Sequence, residues 1–258
     1  AVGVFIFIFM SALIGGLAEF IVSRTVGDIA HITIKAEAID PALLPGAPGL
    51  ALLVQEKSSK TAVLANATSF VPLIEALPQV KAVSPQITGA GFLKRGAQVE
   101  QVSIVGLEPG RESAILNLDG YVTQGSAQLR TGSILLGRAL TDDLGLTLGQ
   151  SVRVQSQNGI DAVLTLTGIY QIGSGGPDRR MAYVSLTTAR TLFAMPQGVS
   201  RIEIKLHDLH SADAMALQIS TLTGLPAESW TVDGAQLLEA LSAQAKTGYF
   251  LKTFAMIT

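Results

Sequence analysis

The sequence predicts an α+β fold: a split βαβ lobe that carries an inserted β-rich lobe and is flanked by the ends of two transmembrane helices. Three observations carry that expectation. A strand, helix, strand order between His31 and Ile87 recurs between Arg201 and Val232. The stretch from Gly89 to Arg190 that separates the two units reads almost entirely as strands. Both extremities of the 258-residue chain are apolar.

The first element is AVGVFIFIFMSALIGGL, Ala1 to Leu17, an uncharged run rich in Phe and Ile. It shows neither the basic leader nor the small-residue cleavage site of a secretory signal. It is somewhat shorter than the roughly 20 apolar residues that cross a bilayer. It is therefore expected to be the outer part of a spanning helix, with Glu19 and Arg24 marking its exit into water. Residues 1–27 make up this element. At the other end, Asp233 is a good N-cap, and GAQLLEALSAQAKTGYFLKTFAMIT is helical in pattern, turning from amphipathic to apolar at Tyr249. Residues 234–258 are expected to lead into a second span, with Tyr249 at the interface and Lys252 snorkelling.

Between them, HITIK (His31 to Lys35) alternates as a strand, and a loop rich in Pro and Gly follows. SFVPLIEAL (Ser69 to Leu77) is expected as a helix capped by Thr68 or Ser69, with Pro72 tolerated in the first turn. Val80 to Ile87 is the next strand. The second unit comprises the strand RIEIKL (Arg201 to Leu206), a helix from Ser211 to Leu222 and a strand from Ser229 to Val232. The two units, residues 28–88 and 191–233, are expected to pair as a four-stranded sheet with two helices on one face, in a ferredoxin-like or porter-like arrangement.

The inserted lobe, residues 89–190, contains strands Gln98 to Leu107, Ser133 to Leu136, Ser151 to Gln155, Val163 to Tyr170 and Met181 to Val184. Arg138 to Leu144 is expected as two helical turns ended by Gly145. Asn158-Gly159 signals a tight hairpin.

Composition removes several classes of function. Lys and Arg number 18 against 20 Asp and Glu, so no basic field is present to hold a phosphate backbone. The absence of cysteine excludes disulfides, thiolate metal sites and thiol catalysis. His207 and His210 in HDLH have a spacing that could seat zinc, with Asp208 and Asp213 nearby, but no third ligand is evident; a solvated turn capped by Ser211 accounts for them. Asp142 and Asp143 diverge on a helix and cannot flank one bond. No serine sits in a Gly-x-Ser-x-Gly elbow and no histidine has a triad setting, so no catalytic residue and no cofactor is assigned. GSGGPDRR, Gly173 to Arg180, lacks the Gly-Lys-Ser/Thr ending of a phosphate loop and lies between strands. It is expected to be an exposed hairpin tip, and Asp178, Arg179 and Arg180 are the candidates for contact with a partner.

Three segments carry a resemblance: SILLGRALTDDLGLTLGQSVRV from Ser133, LTLTGIYQIG from Leu164 and MAYVSLTTARTLF from Met181. They resemble the extracytoplasmic domain of the FtsX superfamily of ABC-transporter permeases, which includes the lipoprotein-release proteins LolC and LolE and the macrolide exporter MacB. The resemblance implies a periplasmic domain between the first two membrane helices of an inner-membrane permease. It also implies an ABC ATPase subunit or fused ATPase domain, a second permease chain, and lipoprotein or another hydrophobic substrate as cargo, with a periplasmic partner protein in some members. LolC carries an extended hook between two strands, where this chain has only Ser156 to Asp161, so the resemblance favours LolE-like or more general exporters. ATP-driven movement would pass through the helix of residues 235–258, a stiff lever. The competing reading is a membrane-tethered periplasmic binding or activator module without transport activity.

Overall fold

The computed structural model describes residues 29–36, 63–173 and 176–233. The first lobe is a four-stranded antiparallel sheet. Its strands are β1 (Ile32–Lys35), the first half of β2 (Val80–Arg95), β9 (Arg201–Leu206) and β10 (Ala227–Ser229), in the order β10-β1-β9-β2. This is the split βαβ order expected from the two repeated units. Register explains which face is buried. Ile32, Ile204 and Val83 stand in one cross-strand row, as do Ile34 and Ile202, and all are fully buried or nearly so. They pack under α1 (Val71–Glu75) and α6 (Ala212–Thr223), through Val71, Ile74, Met215, Ala216 and Ile219. Each such side chain contributes roughly 1.5–3 kcal/mol on leaving water. The period of two then dictates that Thr33, Glu203 and Ser84 share the opposite face.

The second half of β2 leaves this sheet and enters another. It pairs with β3 (Gln98–Leu107) and with β6 (Ser151–Ser156). From β3 the pairing continues to β8 (Met181–Ser185), β5 (Ser133–Gly137), β7 (Asp161–Tyr170) and back to β6. The β-rich lobe is therefore a closed ring, with parallel pairs β3/β8 and β5/β7. Leu93, Ile104, Ile134, Leu136, Val154, Leu166 and Val184 form part of the main core. Gly91 lets the wall close: a Cβ there would stand 2.4 Å from Ile104 Cδ1.

A second core lies outside the ring. Val105, Leu107, Leu135, Tyr170 and Tyr183 alternate with the inward residues of their strands and are covered by Leu118, Ala127 and Leu129. The covering segment includes α2 (Leu118–Tyr121) and β4 (Val122–Gly125), which pairs with β7. The Tyr170 and Tyr183 rings meet edge to face, centroids 5.3 Å apart.

Four elements differ from the expectation. β2 runs to Arg95 and serves both lobes, so one strand crosses the boundary expected at residues 88 and 89. α5 (Leu186–Leu192) was not anticipated; Ser185 caps it by accepting a hydrogen bond from Thr188 N. The helix near Ser69 begins as a 3-10 turn at Ala67–Phe70. The last strand lies two residues earlier than read, and Trp230–Asp233 is a helical turn, α7. The helix read at Arg138 is present as α3 (Arg138–Asp143). No helix among the described residues is long and apolar enough to cross a membrane; the spans expected in residues 1–27 and 234–258 lie outside the described residues.

Candidate functional site

Residues 177–180 are not a hairpin tip but a one-turn helix, α4 (Pro177–Arg180). Asp178 is buried, and its carboxylate accepts hydrogen bonds from Ile172 N at 2.8 Å and Gly173 N at 3.2 Å. It organises the turn from within and, being buried, is turned away from the surface a partner would meet. Tyr170 reinforces the turn by donating its hydroxyl to Pro177 O and Met181 O. Arg179 and Arg180 do reach the surface. Arg179 pairs with Asp143 at 3.1 Å, and Arg180 makes no hydrogen bond or ion pair among the described residues.

The HDLH turn also resolves into structure. Asp208 caps its 3-10 turn, accepting from His210 N, and Ser211 stands at the N-cap of α6 without a side-chain cap bond. Asp213 accepts hydrogen bonds from the Ser229 and Thr231 hydroxyls, which hold its carboxyl below the usual range. No group of three or more metal-ligating side chains converges among the described residues.

Two arrangements stand out that the sequence did not disclose. The first is a cleft of about 660 Å³ between the polar face of the first sheet and the outer core of the ring. Its sheet side carries Ser84, Gln86, Thr88, Arg201 and Glu203, because the register that buries Ile202 and Ile204 turns these residues the other way. Its other side is built from Val105, Leu107, Leu118, Tyr121, Met181 and Tyr183. Glu203 Oε2 accepts from Gln86 Nε2 at 2.8 Å, and Arg201 lies 3.5 Å from Oε1. Burial lifts the Glu203 carboxyl above its ordinary range, against the opposing pull of Arg201, Gln86 and Lys35. Burial likewise raises the Tyr183 phenol, helped by the Glu203 and Asp178 charges. The segment over the cleft is fastened to the first lobe. Arg111 bonds Glu75 and the Val83 carbonyl, and Lys205 Nζ donates to Ile115 O at 2.7 Å.

The second arrangement is at the edge of the first sheet. β1 and β10 pair directly, and Trp230 N donates to His31 O at 2.9 Å. Trp230 is buried and its indole donates to Leu209 O at 3.2 Å. His31 is buried too; its backbone N donates to Ile204 O, and its Nδ1 accepts from Leu206 N. The backbone leading in at Ile29–His31 and the backbone leading out at Trp230–Asp233 are thus bonded to each other and to β9.

Comparison with known proteins gives this geometry a family. The MacB-like periplasmic core domain family matches residues 1–222. The lipoprotein-releasing system transmembrane protein LolE of Haemophilus influenzae is 24% identical over 192 residues, covering 70% of this chain and 43% of that protein. The chain thus spans less than half the length of that relative. The crystal structure of the periplasmic region of MacB from Actinobacillus actinomycetemcomitans has the same fold. Its TM-score is 0.53 at 12% identity, covering 84% of this chain and 95% of the other. The extracellular domain of the noncanonic ABC-type transporter YknZ from Gram-positive bacteria matches at a TM-score of 0.46, with 12% identity, over 62% of this chain and 87% of that one. With a family match over most of its length and the fold of a solved periplasmic region, this chain belongs to the MacB-like periplasmic core domain family.

Proposed function

We propose that this domain is the periplasmic half of a mechanical coupling, passing movement generated by ATP hydrolysis in a separate ABC ATPase, or a fused ATPase domain, to a lipoprotein or other hydrophobic substrate outside the membrane. The observation that carries the reading is the bonded pair of stems, Ile29–His31 and Trp230–Asp233, on one sheet edge. A displacement of either stem acts on the same strand pair. That edge is joined through β9 to β2, and β2 runs without interruption into the ring. Continuous hydrogen-bonded elements of this kind transmit a rigid-body shift that a flexible linker dissipates. The LolE relationship supports lipoprotein as the cargo class. In this reading residues 28–88 with 191–233 form the driven lobe and 89–190 the presenting lobe. A second permease chain completes the complex, and Arg179 and Arg180 meet a periplasmic partner or cargo. The domain itself carries no catalytic role.

The test is purification of the full-length protein from detergent-solubilised membranes. The coupling reading expects an ATPase subunit in stoichiometric amount, or an ATPase domain in the same polypeptide. A protein that purifies alone, with neither, would leave the membrane-tethered binding module in its place.

A further inference from the structure

We propose that the cleft between the two lobes is a binding site for a small amphipathic amine, its cationic head on the Glu203 carboxylate and its apolar body against the ring wall. This inference is independent of how the complex moves. At about 660 Å³ the cleft has the size of small-molecule sites, roughly 300–1,000 Å³. Its two sides are chemically divided. Polar side chains come from β2 and β9, while hydrocarbon and aromatic surface comes from β3, β8 and the covering segment. A molecule polar at one end and apolar at the other matches that division.

Charge decides which polar end. Among the described residues, the carboxylates and strong bases of the lining are Glu112, Glu203 and Arg201. Both Glu112 oxygens already accept from backbone amides, those of Gly110 and Leu129. Glu203 carries the other carboxylate of the cleft; Arg201 pairs with its Oε1 at 3.5 Å and Gln86 donates to its Oε2. Of the ammonium groups on the same sheet face, Lys35 bonds Glu228 and Lys205 the Ile115 carbonyl, and the Lys35 charge still reaches Glu203. Two carboxylates against one guanidinium leave the described lining net negative, so an arriving cation gains where an anionic head meets repulsion. Tyr121 and Tyr183 add the aromatic surface that favours ammonium groups. The Thr88 hydroxyl, shielded from solvent and without a hydrogen-bond partner among the described residues, supplies a further polar contact.

The experiment is a fluorescence titration of the full-length protein in uncharged nanodiscs, with empty nanodiscs subtracted. One probe is dansylcadaverine, an amine, and the other is N-dansyl-6-aminohexanoate, its anionic counterpart. Saturable binding of the amine, at least tenfold weaker in Glu203→Gln and with little binding of the anion, is expected. Ser103→Phe, which keeps Glu203 but fills the cleft from β3, is expected to abolish binding as well. Equal affinity for both probes, amine binding within twofold of wild type in Glu203→Gln or in Ser103→Phe, or no saturable binding at all would overturn the proposal.

Discussion

Replacing Gly137 with alanine tests whether the turn at residues 177–180 is held from within. A Cβ on Gly137 would stand 2.1 Å from Asp178 O and 2.5 Å from Asp178 C and Cα. All three atoms are backbone, so no side-chain rotation relieves the overlap, and α4 must withdraw by about 1 Å to restore van der Waals contact. Overpacking of this kind costs about 1–3 kcal/mol. Withdrawal also stretches the hydrogen bonds from Ile172 N and Gly173 N to the Asp178 carboxylate, each worth roughly 1.5–3 kcal/mol when fully lost. Even partial loss brings the expected destabilisation to about 3 kcal/mol. The control is Gly110→Ala. Gly110 has φ +86° but nothing within 4 Å of its Cβ position, so it suffers backbone strain of only about 1–2 kcal/mol. Both are measured by denaturant and thermal unfolding of the purified protein. A Gly137→Ala protein no less stable than Gly110→Ala would refute the account of the turn.

Glu203 and Trp230 give two further tests. Because burial raises the Glu203 carboxyl in the folded state, the native protein binds the extra proton between the unfolded and folded pKa, and stability falls as pH rises through that window. Glu203→Gln is expected to melt higher than wild type at pH 7 and to lose the advantage as pH falls from the raised folded pKa towards the unfolded value near 4.5; a gain that persists below 4.5 would contradict the burial argument. Trp230→Phe removes the indole donor to Leu209 O and part of the buried ring together, and a loss of at least about 1 kcal/mol in unfolding free energy is expected. An unchanged stability would show that this bond does not anchor the outgoing stem.

The first lobe was legible because its patterns are local. RIEIKL alternates without a break and is β9 over its full length, and the burial of Ile202, Ile204 and Leu206 follows from that period. The split order needed only the recognition that the strand, helix, strand unit occurs twice. β2 outruns the strand expected at Val80 to Ile87 because Gly89 and Gly91, poor strand formers by themselves, let Phe193 and Ile104 pack against it. α5 was missed because LTTARTL is rich in β-branched threonine, a weak helix former, and is held by its Ser185 cap and by the burial of Leu186, Ala189 and Leu192. Among the three residues singled out as a contact loop, Asp178 looked exposed because its partners are backbone amides, which leave no trace in a sequence. The cleft was invisible for a related reason. Glu203, Gln86, Val105 and Tyr183 are brought together by register and ring closure, and no motif spans them.

The most direct test of the coupling is to soften one stem and leave the domain alone. Three glycines inserted after Asp233, the last described residue, interrupt the outgoing stem without touching the cores of either lobe. ATP hydrolysis and substrate release are then measured on the same assembled complex. Hydrolysis that continues while release is lost is the expected result; release that proceeds unchanged would contradict the claim that this stem carries the movement.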